Sequence, residues 1–113
     1  MKLNDYQEQA WKTAKYPHAG ENDIIALSYL GLGVTGEAGE VAEKIKKILR
    51  DDKGEITTAA RLGLMKELGD VLWYVARIAD EIGLNLDAVA QQNLNKLADR
   101  LERGVIGGSG DDR

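Results

Sequence analysis

Apolar residues recur along most of the chain at the three- and four-residue spacing of an amphipathic helix. Nowhere do they sustain the period of two that marks a strand. Four helices follow. The first covers residues 4–16, with Asn4 as N-cap, Gln7 completing a capping box, and Tyr6, Ala10, Trp11 and Ala14 at helical spacing. Pro17 ends it, because a residue preceding proline is pushed out of the helical conformation. The second covers 23–50, with a break expected near Gly31–Gly36, where Gly31, Gly33 and Gly36 weaken helix formation. Its clear stripe is Val34, Val41, Ile45 and Ile48, and a polar turn from Arg50 to Glu55 closes it. Thr57 or Thr58 caps the third helix, which runs to about Ile82 with Leu64, Leu68, Val71, Val75, Ile78 and Ile82 as its stripe. Gly83 suits the position just past its end. Asn85 caps the fourth, 86–102, with Asp87 favourable in the first turn and Val89, Leu94, Leu97 and Leu101 expected to face inward. Gly104–Arg113 reads as a tail without regular structure.

The second and third helices repeat one pattern. LGVTGEAGEVAEKIKKIL at 32–49 matches LGLMKELGDVLWYVARIA at 62–79, thirty positions on. Glu37 aligns with Glu67 and Glu40 with Asp70, each pair spaced i, i+3 and so on neighbouring turns of one face. Glu37 and Glu67 border the apolar stripes, where an unpaired carboxylate is costly to desolvate. If the two stripes pack antiparallel, four carboxylates converge and repel unless protons or cations neutralise them. The competing explanation is solvated helix charge, supported by Glu40–Lys44 and Glu43–Lys47 in the favourable i, i+4 order.

Composition narrows the chemistry. At 113 residues, 43% hydrophobic and 30% charged, the chain is expected to form one globular domain spanning 1–113. With no Phe and 5% aromatics, the core is aliphatic and thin. That points to an all-α, four-helix bundle-like subunit completed by dimerisation. A net charge of −4 disfavours nucleic acid and anionic membranes as partners. No cysteine and a single histidine, His18, leave oxygen as the ligand for any metal, which favours Mg²⁺ or Mn²⁺. The N-terminal stretch has no signal-peptide apolar region, and Ile24–Val34 is too short to span a bilayer, so a cytoplasmic location is expected.

Cations should accompany such a site. Lys44 lies one turn beyond Glu40, and Lys96 and Arg100 are i, i+4 partners able to reach phosphate oxygens or to form a solvated basic edge. Asn93 could bond a sugar or base, or be an ordinary surface residue. Trp11, Tyr6, Trp73 and Tyr74 are candidates for stacking on a base, with core or subunit packing the commoner role of each. His18 reads as a loop histidine.

Glu37-x-x-Glu40 followed by Glu67-x-x-Asp70 resembles the ExxE…ExxD signature of the MazG-like nucleoside triphosphate pyrophosphohydrolases, an all-α family. GEAGEVAEKIKK and KELGDVLWYVARIA resemble its two central helices, and Asn93-x-x-Lys96-Leu97-x-x-Arg100 the motif on its last helix. YQEQAWKTAKYP and RGVIGGSGDDR resemble the ends of a compact single-domain subgroup found in phages and bacteria. The resemblance implies that Glu37, Glu40, Glu67 and Asp70 bind Mg²⁺ and serve as the catalytic residues. Lys44, Asn93, Lys96 and Arg100 are then the substrate contacts. It also implies cleavage of a (d)NTP at the α–β linkage to (d)NMP and pyrophosphate, for nucleotide clean-up or pool control. Assembly as a homodimer or homotetramer, in the cytoplasm of the cell or of a phage host, goes with it. Glu40 or Glu37 would take the proton from water, with Glu43, one turn beyond Glu40, as an alternative. A narrower hydrolase of dUTP, dCTP or an alarmone, and a non-enzymatic helical association module, are the alternatives.

Overall fold

The computed structural model describes residues 1–113 and contains four helices and no strand. They are α1 (Leu3–Trp11), α2 (Ile24–Asp51), α3 (Thr58–Glu81) and α4 (Leu86–Glu102). Asp23, Thr57 and Asn85 cap the last three by accepting the N–H of Ala26, Ala60 and Ala88 at 3.0, 3.1 and 2.8 Å. Gly83, at φ +75°, ends α3 in a Schellman turn in which Leu84 N–H donates to the Ala79 carbonyl at 2.8 Å.

α2 and α3 make the most extensive helix contact, as an antiparallel hairpin. Passing from Gly33 to Lys44 along α2, the facing residues of α3 run backwards from Tyr74 to Gly63. α1 packs on α3 and α4, whereas α4 touches α1 and α3 but not α2. The helices therefore form an open arrangement and not a closed bundle.

Four expectations change. α1 stops at Trp11 and not at Pro17. Beyond it the ladder tightens to i→i−3 bonds at Thr13 and Ala14, and the Thr13 hydroxyl, bonded to the Ala10 carbonyl, accepts the Trp73 indole N–H at 2.8 Å. Asn4 and Gln7 do not cap the helix. Asp5 instead accepts the Lys2 backbone N–H, Asn4 accepts the N–H of Asp87, and buried Gln7 clamps three elements together. Its amide donates to the carbonyls of Ala76 and Leu84 and accepts from Leu86 N–H.

Next, α2 is unbroken over 28 residues. At Gly33 the absent side chain is used: a Cβ there would lie 2.1 Å from Tyr74 Cε1, so the glycine lets the ring lie against the helix. Packing outweighs the glycine's intrinsic cost of about 1 kcal/mol. Finally, Leu94, Leu97 and Leu101 do not face inward; they are 60%, 40% and 71% exposed.

Only thirteen residues are buried. Ala14, Tyr16, Ala26 and Leu30 form one cluster, and Ala10, Ala76 and Leu86 another. Between α3 and the α1–α2 loop lies a polar knot. Buried Glu81 accepts from Tyr16 Oη at 2.7 Å and from the N–H groups of Gly20 and Asn22. Buried Arg77 donates to Tyr16 Oη and to Asp80, and its guanidinium lies 4.9 Å from the Trp11 ring.

The surface is large for the mass. It measures 7877 Å², against about 6,100 Å² for a compact monomer of this size. The radius of gyration is 16.8 Å, against about 13 Å. Much of the excess is apolar: Leu62, Met65, Leu68 and Leu72 on α3 join the α4 leucines in water. No helix is long and apolar enough to cross a membrane.

Candidate active site

The hairpin register sets the site. Glu37 on α2 and Glu67 and Asp70 on α3 offer carboxylate oxygens that all lie within 4.8 Å of one another. Glu37 and Glu67 are half-buried and Asp70 is exposed. Burial raises the Glu37 carboxyl above its ordinary value, and the negative charges of Asp70, Glu67 and Glu40 push it the same way. Glu40 is exposed and stands outside the trio, yet close enough for its charge to reach Glu37.

Lys44 crosses from α2 toward this group, its Nζ 3.6 Å from Glu67 Oε1. Both groups touch water, so the pair neutralises little. The remaining repulsion is what a divalent cation would relieve, and an all-oxygen donor set with open positions fits a hard ion such as Mg²⁺ or Mn²⁺.

Tyrosines stand around the acids. The Tyr6 hydroxyl is raised by burial and by the charge of Asp70. That of Tyr74 is raised by burial, by Tyr29, and by the charges of Glu37 and Asp70. None of the cavities in the structure is lined by Glu37, Glu40, Glu67 or Asp70, so the acids lie on an open face.

The other candidates are dispersed. Asn93 borders a cleft of about 340 Å³ with Leu3, Leu72 and Val75. Lys96 lies beside the tail, and Arg100 is buried beneath it. Trp73 stacks edge-on with Tyr16 and Tyr74, and Trp11 covers Arg77. Glu43 pairs with Lys46 and Lys47 on the solvent face. His18, at φ +60°, bonds Asp23 through Nδ1 at 2.6 Å and so steadies the α2 cap.

Sequence reasoning passed over Tyr16, Tyr29, Arg77 and Glu81. The available signal was Arg77 and Glu81 at i, i+4, which with Asp80 interrupt the apolar run from Val71 to Ile82.

"Gene 37 protein" of Mycobacterium phage L5 is 54% identical over 114 residues, covering the whole of both chains. No solved structure matches this chain. The MazG nucleotide pyrophosphohydrolase domain matches residues 27–105, a span that holds all four acids of the repeated motif, and the chain belongs to that family.

Proposed function

We propose that this protein is a Mg²⁺-dependent nucleoside triphosphate pyrophosphohydrolase that cleaves (d)NTPs between the α- and β-phosphorus. The observation that carries the reading is the trio Glu37, Glu67 and Asp70, gathered within 4.8 Å on two facing helices of a MazG domain. Glu37, Glu67 and Asp70, joined by Glu40, would hold the cation, with Mn²⁺ an alternative to Mg²⁺. A cation bound there supplies charge neutralisation for the triphosphate and acidifies a coordinated water.

The chain's own groups do the rest. Glu40 would also accept the proton of the attacking water, with Glu37 as the other candidate. Water oxygen bonds to phosphorus, the bridging P–O bond breaks, and pyrophosphate and a nucleoside monophosphate leave. Lys44, Asn93, Lys96 and Arg100 contact the substrate.

A homodimer, or a tetramer built from dimers, belongs to this reading. The open face of the acids and the surplus surface support it. That surplus, about 1,700 Å², exceeds the roughly 800 Å² that each partner of a stable pair covers. Nucleotide clean-up or pool control in a cytoplasm is the corresponding role.

The test is a panel of NTPs and dNTPs with Mg²⁺, following pyrophosphate and monophosphate. Asp70→Asn is expected to cut kcat by about a hundred-fold or more while retaining its helix content. Release of inorganic phosphate and a diphosphate instead would refute the α–β assignment. Wild-type turnover by Asp70→Asn would refute the site.

A further inference from the structure

The segment Gly104–Arg113 has no helix or strand, yet directed bonds fold it back onto α4. The Arg113 guanidinium donates to the carbonyls of Ile106 at 3.0 Å, Gly107 at 2.9 Å and Gly110. The backbone oxygen of Arg113 accepts from Arg103 Nη2 at 2.6 Å. Arg100 Nη2 donates to the carbonyls of Asp111 at 2.6 Å and Gly110 at 3.3 Å. Gly108 and Gly110, at φ +93° and +86°, adopt turns that a side chain would strain. The outcome is to bring Asp111 over α4, with Oδ1 3.4 Å from Lys96 Nζ and 3.7 Å from Arg100 Nη2.

The two kinds of contact differ in strength. Arg100 is 4% exposed, and its bonds to the tail's carbonyls, 2.6 Å to Asp111 and 3.3 Å to Gly110, are partly buried. The Asp111 side chain is 87% exposed and its contacts are long, so they are weak and screened. The backbone of the tail is thus fixed while its carboxylate is loosely held. A triphosphate brings more charge and more acceptor oxygens to the same cations than one carboxylate does. Asp111 also lies beyond the family match, which ends at residue 105.

We propose that the Asp111 carboxylate is a built-in competitor for substrate phosphate, occupying Lys96 and Arg100 in the free chain and displaced when a triphosphate arrives. This rests on the reading that α4 meets the substrate's phosphates. The tether through Arg100 and Arg113 means that only a side chain has to swing away. Such a competitor raises KM without touching kcat. It also favours departure of the monophosphate product, which carries less charge than the triphosphate.

The experiment compares the wild type with Asp111→Asn, Lys96→Met and the double variant. Steady-state kinetics are measured alongside calorimetric binding of inorganic tripolyphosphate with Mg²⁺. Asp111→Asn is expected to bind tripolyphosphate about three- to five-fold tighter, the equivalent of one exposed ion pair. KM should fall by the same factor at unchanged kcat. Lys96→Met should weaken binding and erase most of the gain from Asp111→Asn. Unchanged or weaker binding by Asp111→Asn, with Lys96→Met still weakened, overturns the competitor and leaves the α4 phosphate reading intact. Lys96→Met without effect on binding or KM overturns both.

Discussion

The two copies of the acidic motif make the most instructive comparison in the molecule. Folded as a hairpin, they face each other about a local two-fold. Gly33 of the first copy lies under Tyr74 of the second, and Gly63 of the second lies under Lys44 of the first. Lys44 and Tyr74 occupy the same place in the repeat. A symmetric pattern of carboxylates is thus flanked by a cation on one side and an aromatic ring on the other. The helix ends diverge further. Lys47 and Asp51 in α2 correspond to Arg77 and Glu81 in α3, and only the second pair is buried. The repeat sets where the acids lie; the surroundings decide which copy anchors the fold and which stays in solvent.

The sharpest way to break this comparison is at the buried end. Removing one partner from a buried ion pair leaves the other uncompensated, at about 3–5 kcal/mol. Glu81→Leu and Arg77→Leu should therefore each remove much of the roughly 5–15 kcal/mol that holds a domain folded. Asp51→Asn, at the matching place in α2, should change stability by less than about 0.5 kcal/mol. Urea unfolding of the three variants checks this, and equal losses at the two ends would refute the asymmetry. The knot also leaves marks in pH. Burial pushes the Glu81 carboxyl up, but bonds from Tyr16, Gly20 and Asn22 and the charge of Arg77 outweigh it and hold the carboxyl below its ordinary value. Its contribution is present above the unfolded value and lost as pH falls through the folded one. The Tyr16 hydroxyl is pushed up to about 12, by burial first and then by its bond to Glu81. Its contribution is present below about pH 10 and fades toward about 12.

The paired glycines offer a smaller contrast. A methyl at Gly33 would meet the Tyr74 ring at 2.1 Å, whereas one at Gly63 would meet Lys44 Cδ at an ordinary 3.5 Å. Gly33→Ala is expected to destabilise by about 1–3 kcal/mol, as overpacking does. Gly63→Ala should stabilise α3 by about 0.5–1 kcal/mol, because alanine loses less backbone freedom in a helix. Thermal melts read both signs. Stabilisation by both substitutions would mean that the Tyr74 ring is free to move.

These cases mark what periodicity conveys. Four helices are legible because apolar spacing is local, and Asp87, Gly83 and the caps Thr57 and Asn85 sit where capping chemistry requires. The end of α1 is not legible, because Thr13 and Tyr16 are held by Trp73 and Glu81, sixty or more residues away. Nor is the continuity of α2, since glycine propensity says nothing of a tyrosine arriving from another helix. The α4 leucines show that a face is apolar but not what covers it. The i, i+3 spacing makes the acids visible in the chain, and the hairpin register brings three of them together. The burial of Arg100 follows from a tail that has no period to read.

The last contrast is the smallest and sets two carboxylates in opposite senses. Glu37 titrates above its ordinary value, through burial and then the charges of Asp70, Glu67 and Glu40, whereas Glu81 titrates below. A carboxyl raised by folding favours the folded state when protonated. That contribution is fully present below the unfolded value and is lost as pH rises through the folded one. In EDTA, the Glu37 contribution should therefore be lost as pH rises through and above the ordinary carboxylate value of about 4.5, while the Glu81 contribution is lost as pH falls below it. Because Glu37 is only half-buried, solvent screening discounts the effect to a few tenths of a kcal/mol. Glu37→Gln should flatten the upper slope and raise the melting temperature of the metal-free protein at pH 7. Mg²⁺ should do the same for the wild type and much less for the variant. A Glu37→Gln variant that melts below the wild type in EDTA would mean that Glu37 holds a structural bond, and the repulsion assigned to the facing copies would have to be abandoned.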